Sequence, residues 1–89
     1  MLGGLLLQGA LSQLPPQPAT LIVRSNPSGA RITINDRVMD HPTDATFKVA
    51  PGTYRVSVSG NASCQERSVN LASGQRLTLV CNGTSWTVQ

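Results

Sequence analysis

Hydrophobic and polar residues alternate with a period of two over most of the chain beyond residue 19. The alternation is clearest from residue 53 to residue 59, where Tyr54, Val56 and Val58 share one face and polar residues share the other. Because successive side chains of a β-strand point to opposite sides of a sheet, this segment predicts a strand with one buried face. Similar shorter segments predict strands at 20–25, 31–35, 38–39, 46–49, 66–71 and 76–81, and a last edge strand at 86–89.

Turn residues separate these strands. Residues 26–29 and 50–52 each combine a proline, which presets φ, with a glycine, which permits positive φ. The pair Asn35 and Asp36 predicts a hairpin that returns through Val38 and Met39. We expect five residues to act as structural turn residues: Pro27, Gly29, Pro51, Gly52 and Gly74.

A second hairpin is predicted around residues 72–75. Its two strands would place Val69 opposite Leu79 and Leu71 opposite Leu77, so that all four side chains share the inner face. This ladder also decides which way the two cysteines point.

In the same ladder Cys81 lies on the inner face, whereas Cys64 has the opposite parity. A disulfide between them therefore requires a bulge or loop geometry at Cys64. The sequence leaves both states open. A bond would stabilise the domain by about 3 kcal/mol and would fit an oxidising compartment.

Length and composition point to the same class of fold. Eighty-nine residues allow one small hydrophobic core. Apolar residues make up 39% and charged residues 12%, with 8 glycines and 6 prolines, which excludes a highly charged disordered chain and a coiled coil. We predict an all-β fold, a small antiparallel β-sandwich of about six to seven short strands.

The first 19 residues differ from the rest. Residues 1–14 are largely apolar and uncharged, and a proline-rich stretch follows. This segment lacks the basic start of a signal peptide and is shorter than the roughly 18 apolar residues of a membrane span. We therefore divide the chain into a segment or linker at 1–19 and a domain at 20–89. The segment is interpreted as a signal or membrane-anchor remnant, or as a short helix or loose tail.

Few residues carry the chemistry of a reaction. Aromatic residues are 3% of the chain, which argues against a base-stacking nucleic-acid platform and a large cofactor pocket. Asp36, Asp40 and Asp44 recur every four residues, but Pro42 makes this region a loop. His41 is the only histidine, so a Cys/His zinc site lacks ligands. We predict no catalytic residue, no cofactor and no metal.

The turn motifs occur in an order that resembles the PEGA domain family. They are Asn-Pro-Ser-Gly-Ala at 26–30, Ile-Thr-Ile-Asn-Asp at 32–36, His-Pro-Thr at 41–43, Val-Ala-Pro-Gly-Thr-Tyr-Arg-Val at 49–56 and Ala-Ser-Gly-Gln at 72–75. The resemblance covers about residues 20–82; Ser28 stands where the family's name has Glu. It implies a small β-sandwich on extracytoplasmic parts of bacterial and archaeal envelope proteins, without enzymatic activity.

Three functions from different classes follow. The first is a non-catalytic module, in the periplasm or on the cell surface, that acts as a spacer or binds a protein partner or a neighbouring domain of the same parent chain. It could be attached to a membrane through the N-terminal segment. The second is weak binding of an envelope polyanion, since the net charge is +3, through an outward face containing Arg31 and Arg55, with Trp86 as a further contact residue. The third is a catalytic or metal site at Asp40, His41 and Asp44. No nucleic-acid partner is expected.

Overall fold

The computed structural model describes residues 17–89, which form eight β-strands and no helix. Proline and glycine turns keep the strands short, and β-branched residues occupy many positions within them. The strands are β1 (Ala19–Asn26), β2 (Arg31–Ile34), β3 (Arg37–Val38), β4 (Ala45–Val49), β5 (Gly52–Ser59), β6 (Cys64–Leu71), β7 (Arg76–Asn82) and β8 (Ser85–Val88).

The strands of the described region make two sheets of four, in the orders β4-β1-β7-β8 and β3-β2-β5-β6. We call them sheet A and sheet B. The predicted fold class, a small all-β sandwich, is confirmed. Neighbouring strands are antiparallel except for β1 and β7, which run parallel with Thr20 beside Arg76 and Asn26 beside Asn82.

The core lies between the two sheets. Its fully enclosed side chains come from alternate positions of the central strands, as the period of two predicts. Val56 and Val58 are buried and Tyr54 is half-buried, whereas Thr53 and Arg55 of the same strand are exposed. The largest fully buried side chains are Leu21, Ile32, Leu79, Val23, Val56 and Cys81.

The hairpin at Asn35 and Asp36 is confirmed. Both residues have positive φ, 51° and 67°, which is the conformation of a two-residue type I′ turn. Ile34 pairs with Arg37 across this turn.

The predicted hairpin between β6 and β7 is wrong. These strands lie in different sheets, because β6 pairs with β5 and β7 pairs with β1. Residues 72–75 form a turn that carries the chain from sheet B to sheet A, and Gly74 has a φ of 74° in this turn. Val69 and Leu71 are thus inner-face residues of sheet B, and Leu79 is an inner-face residue of sheet A.

The other predicted proline-glycine turns also connect the two sheets. Pro27 and Gly29 lie between β1 and β2. Pro51 lies between β4 and β5, and Gly52 is the first residue of β5. Gly29 has φ of 88°, and a Cβ added to it would lie 3.1 Å from Nδ2 of Asn61.

The two ends of the described chain lie on either side of the first half of β7. Gln17 N donates to Ser73 Oγ at 2.8 Å, and Gly74 N donates to Gln17 O at 3.3 Å. Gln89 N donates to Thr78 O at 2.8 Å. Ser73 and Gly74 come just before β7 and Thr78 is its third residue, whereas Cys81 is the sixth of its seven residues.

The predicted role of residues 1–19 as a signal or anchor remnant concerns mainly residues 1–16, which lie outside the described residues. In the described part, no helix has the length and hydropathy to cross a membrane.

Candidate functional site

A β-bulge on β6 brings the two cysteines together. From Val56 to Val58 the chain of β5 advances two residues, whereas β6 advances three, from Arg67 to Cys64. The extra residue reverses the parity of the strand, so Cys64 faces the core together with Val69.

The structure joins Cys64 and Cys81 in a disulfide, with their Cα atoms 6.0 Å apart. The bond runs from an edge strand of sheet B to an inner strand of sheet A, and both residues are buried. The sequence analysis predicted that this disulfide needs a bulge or loop geometry at Cys64, and the structure has a bulge there. The ladder used to derive that requirement was wrong, but the opposite parity of Cys64 and Val69 within one strand was real.

Trp86 closes the same edge of the sandwich. It pairs with Cys81 on β7 and packs, half-buried, against the core. Its ring Nε1 donates to Gln65 O at 2.7 Å. An open groove of about 660 Å³ lies beside it, lined by the bulged part of β6, including Glu66 and Arg67.

Arg55 lies in a polar cluster on the outer face of sheet B. Its guanidinium is 2.9 Å from the carboxylate of Asp36 and 3.9 Å from that of Glu66. Asn35 holds the backbone of the same residue, because Asn35 Oδ1 accepts a hydrogen bond from Arg55 N at 2.9 Å. The type I′ turn therefore positions Asp36, whose carboxylate partly neutralises the charge of Arg55.

The predicted interaction residues do not form one patch. Arg31 and Arg55 share the outer face of sheet B, four positions apart, which is about 13 Å along the strands. Trp86 belongs to sheet A and points towards the core. The first two residues remain a candidate face, and Trp86 belongs to the groove instead.

The loop with His41 carries a buried hydrogen-bond network. Ala30 N donates to Thr43 Oγ1 at 3.0 Å, Thr43 Oγ1 is bonded to Ser25 Oγ, and Ser25 Oγ donates to Pro27 O at 2.7 Å. If Thr43 donates to Ser25, every hydroxyl has one donor and one acceptor role. Sequence reasoning missed this network. Thr43 was part of a recognised motif, but nothing in the sequence pointed to its burial.

Asp40, His41 and Asp44 are not brought together into a site. Asp44 accepts a hydrogen bond from Ser25 N at 3.1 Å and lies 3.8 Å from the Arg24 guanidinium. His41 and Asp44 line one groove, whereas Asp40 lines another. Within residues 17–89, no three His, Cys, Asp or Glu side chains are placed to hold a metal ion.

The comparison with family models agrees with this architecture. The model of the PEGA domain matches residues 19–79, more than half of the chain. The chain belongs to the PEGA domain family. Its match covers β1 to β6 and β7 as far as Leu79. No curated protein matches the sequence.

The groove and the disulfide lie at the border of the PEGA match. Cys64 and Gln65 fall inside it, but Cys81 and the whole of β8, including Trp86, follow it in the sequence. In this PEGA domain a segment beyond the match thus supplies one half of the disulfide and the aromatic wall of the groove.

Proposed function

We propose that this PEGA domain is a non-catalytic, extracytoplasmic module that acts as a spacer or as a protein-interaction domain of the cell envelope. The observation that carries the proposal is the disulfide between Cys64 and Cys81 across the two sheets. Disulfides persist in oxidising compartments and are rare in the cytosol, where thiols are kept reduced.

The hydrogen bonds of the buried polar groups support the non-catalytic part of the proposal. Every buried side-chain nitrogen and oxygen of the described residues has a hydrogen-bond partner. Catalytic groups are commonly recognised by a perturbed environment and by a paired base or nucleophile. The Ser25 and Thr43 hydroxyls instead bond each other and the backbone, which makes them structural.

The location is tested by the thiol state in the native host. Cells are treated with a thiol-alkylating reagent without reductant, fractionated, and the intact mass of the full chain is measured. We expect an unalkylated, oxidised chain in the extracytoplasmic fraction. A chain found only in the cytoplasmic fraction with both cysteines alkylated would contradict the proposed location.

The interaction role is tested by a photoreactive amino acid placed in turn at Arg31, Arg67 and Val88, with Lys48 on the opposite edge as the control position. A defined protein cross-link from one face but not from Lys48 supports an interaction domain. Equal or absent cross-linking at all four positions would leave the spacer as the only role and would remove the interaction role.

A second candidate function is weak binding of an anionic envelope polymer. It is favoured by Arg31, Arg67 and Arg76, which lie more than 4 Å from any carboxylate among the described residues. Long-chain polyphosphate serves as the probe. We expect binding to fall as salt rises, and Arg31→Gln to weaken it more than Arg55→Gln, because Arg55 already faces two acids. Binding that is absent or insensitive to salt would exclude this function.

A further inference from the structure

The described sandwich has four edge strands, and three of them carry features that oppose pairing with another strand. β3 has two residues, one of them Arg37. β4 carries Lys48 and is followed closely by Pro51. β6 has the bulge, and Arg67, opposite Val56, is a charge on the inner side of an edge. Short length, lysine, proline, bulges and inward charges all oppose edge-to-edge association.

The fourth edge strand, β8, has none of these features. Residues 82–89 contain no ionisable side chain and no proline, and β8 pairs with β7 without a register shift. Val88 is one of two large hydrophobic residues that are strongly exposed in the described chain, with 46% of its surface accessible. An uncharged, regular edge with exposed apolar surface is a site for strand addition.

The hydrogen-bond register shows which backbone groups of β8 point away from β7 and have no strand partner within residues 17–89. Gln89 N donates to Thr78 O, and hydrogen-bonded pairs alternate along an antiparallel ladder. Ser85, Thr87 and Gln89 therefore direct their backbone groups towards β7. Trp86 and Val88 direct their N–H and C=O groups to the open edge.

We propose that β8 pairs antiparallel with β8 of a second copy of this chain. This deepens the proposed interaction role, on which it rests, by naming one partner. In the two-fold register Trp86 lies opposite Val88 of the second copy, and Thr87 lies opposite Thr87 of the second copy. All four outward backbone groups of each strand then find a partner.

The side chains also favour a second copy over an unrelated extended peptide. Trp86 and Val88 both lie on the inner side of sheet A, since they pair with Cys81 and Leu79. In the proposed register each exposed Val88 meets the Trp86 ring of the other copy. Residues 82–89 bring no ionisable side chain to the pairing, so the edge is complementary to itself.

The first test measures self-association of the full 89-residue chain by sedimentation velocity up to about 1 mM, which covers weak interfaces. Val88→Lys places a charge on the proposed interface, and Val38→Lys makes the same change at the other exposed hydrophobic residue, on β3. We expect dimers for the wild type and for Val38→Lys, and at least a tenfold weaker association for Val88→Lys. A monomeric wild type at every concentration, or equal association of both variants, would overturn the proposal.

A second variant covers the case in which Val88→Lys does not fold. Val88→Pro removes an N–H that points to the open edge and leaves the ladder to β7 intact. Circular dichroism and an intact disulfide establish that each variant is folded. Folded Val88→Pro that dimerises as strongly as the wild type would contradict strand pairing.

The register is tested by engineered cysteines. In the proposed register Thr87 lies opposite Thr87 of the second copy. Their Cα atoms are about 4.5 Å apart, a distance that a disulfide can bridge. Ser85, on the same strand and face, lies about 13 Å from Ser85 of the second copy. Oxidised Thr87→Cys should therefore give a covalent dimer mapped to that position by mass spectrometry, and Ser85→Cys should not. The reverse result would exclude this register. The thiol state in the host does not depend on β8, so failure here is distinguishable from failure of the proposed location.

Discussion

Trp86 donates its ring N–H to the carbonyl oxygen of Gln65 at 2.7 Å, and this bond joins the last strand of sheet A to the bulged start of β6 in sheet B. The neighbour of Gln65 in the chain is Cys64, and the strand partner of Trp86 is Cys81. A hydrogen bond and a disulfide thus connect the two sheets at the same edge.

The Trp86 hydrogen bond predicts a difference between two variants. Trp86→Phe keeps an aromatic ring against the core and loses the bond, so we expect a cost of about 1 kcal/mol in the free energy of unfolding. Trp86→Ala also loses the packing and should cost about 3 kcal/mol or less, since the ring is only half-buried. Urea unfolding followed by circular dichroism measures both. Equal costs would show that the ring contributes only through its N–H.

Removal of the disulfide should destabilise the domain without changing its fold. The cysteines are 17 residues apart, and closing a loop of that length stabilises by about 3 kcal/mol. We expect a loss of about 2–4 kcal/mol for protein reduced in denaturant and refolded. The double variant Cys64→Ala, Cys81→Ala should show a similar loss that does not change with reductant. A wild type whose unfolding midpoint is the same with and without reductant would mean that the cysteines are not joined.

The buried network at Thr43 predicts a loss that an exposed threonine does not share. Thr43→Val keeps the shape but removes the acceptor of Ala30 N and a partner of Ser25 Oγ. An unsatisfied buried group costs about 1–3 kcal/mol. The control is Thr46→Val on the exposed face of β4, which should change stability by less than about 0.5 kcal/mol. Similar effects of the two changes would argue against the network.

Gly29 predicts a backbone effect that is separable from a steric one. With φ of 88°, a side chain at this position is strained by about 1–2 kcal/mol. The nearest atom to an added Cβ is Nδ2 of Asn61, the far end of an exposed side chain, which donates to Ser28 O at 3.0 Å. Gly29→Ala should therefore cost nearly the same in the wild type and in an Asn61→Ala background. If the cost disappears in that background, the amide contact and not φ is its cause.

The local features of this fold were predictable because each depends on a few neighbouring residues. Asn35 and Asp36 fit the positive φ values of a type I′ turn, and the alternation around Val56 follows from the pleat of a strand. The PEGA resemblance rested on the order of such turns, and the family match confirms it.

Long-range pairing was less predictable. Val69 and Leu79 alternate with polar residues in the same way whether their strands are paired in one sheet or face each other across the core. The four residues at 72–75 also fit either arrangement. The choice between the two arrangements depends on the pairing of all strands together, in which β6 pairs with β5 and β7 pairs with β1.

The candidate site depends on the same long-range pairing. Trp86 could be recognised as a contact residue, but its bond to Gln65 requires that β6 and β8 lie on the same edge of the sandwich. The extra residue in β6 leaves no signal in composition. The opposite parity of Cys64 and Val69 was its only trace in the sequence.

Gln17 and Gln89 lie on either side of the first half of β7, and this determines how the domain would be attached within a longer polypeptide. Chain entering before Gln17 and chain leaving after Gln89 would both pass close to the first half of β7. The domain would then add little to the distance between the segments that precede and follow it. It would project sideways from the polypeptide, with Cys81 three residues, about 10 Å, along β7 from Thr78.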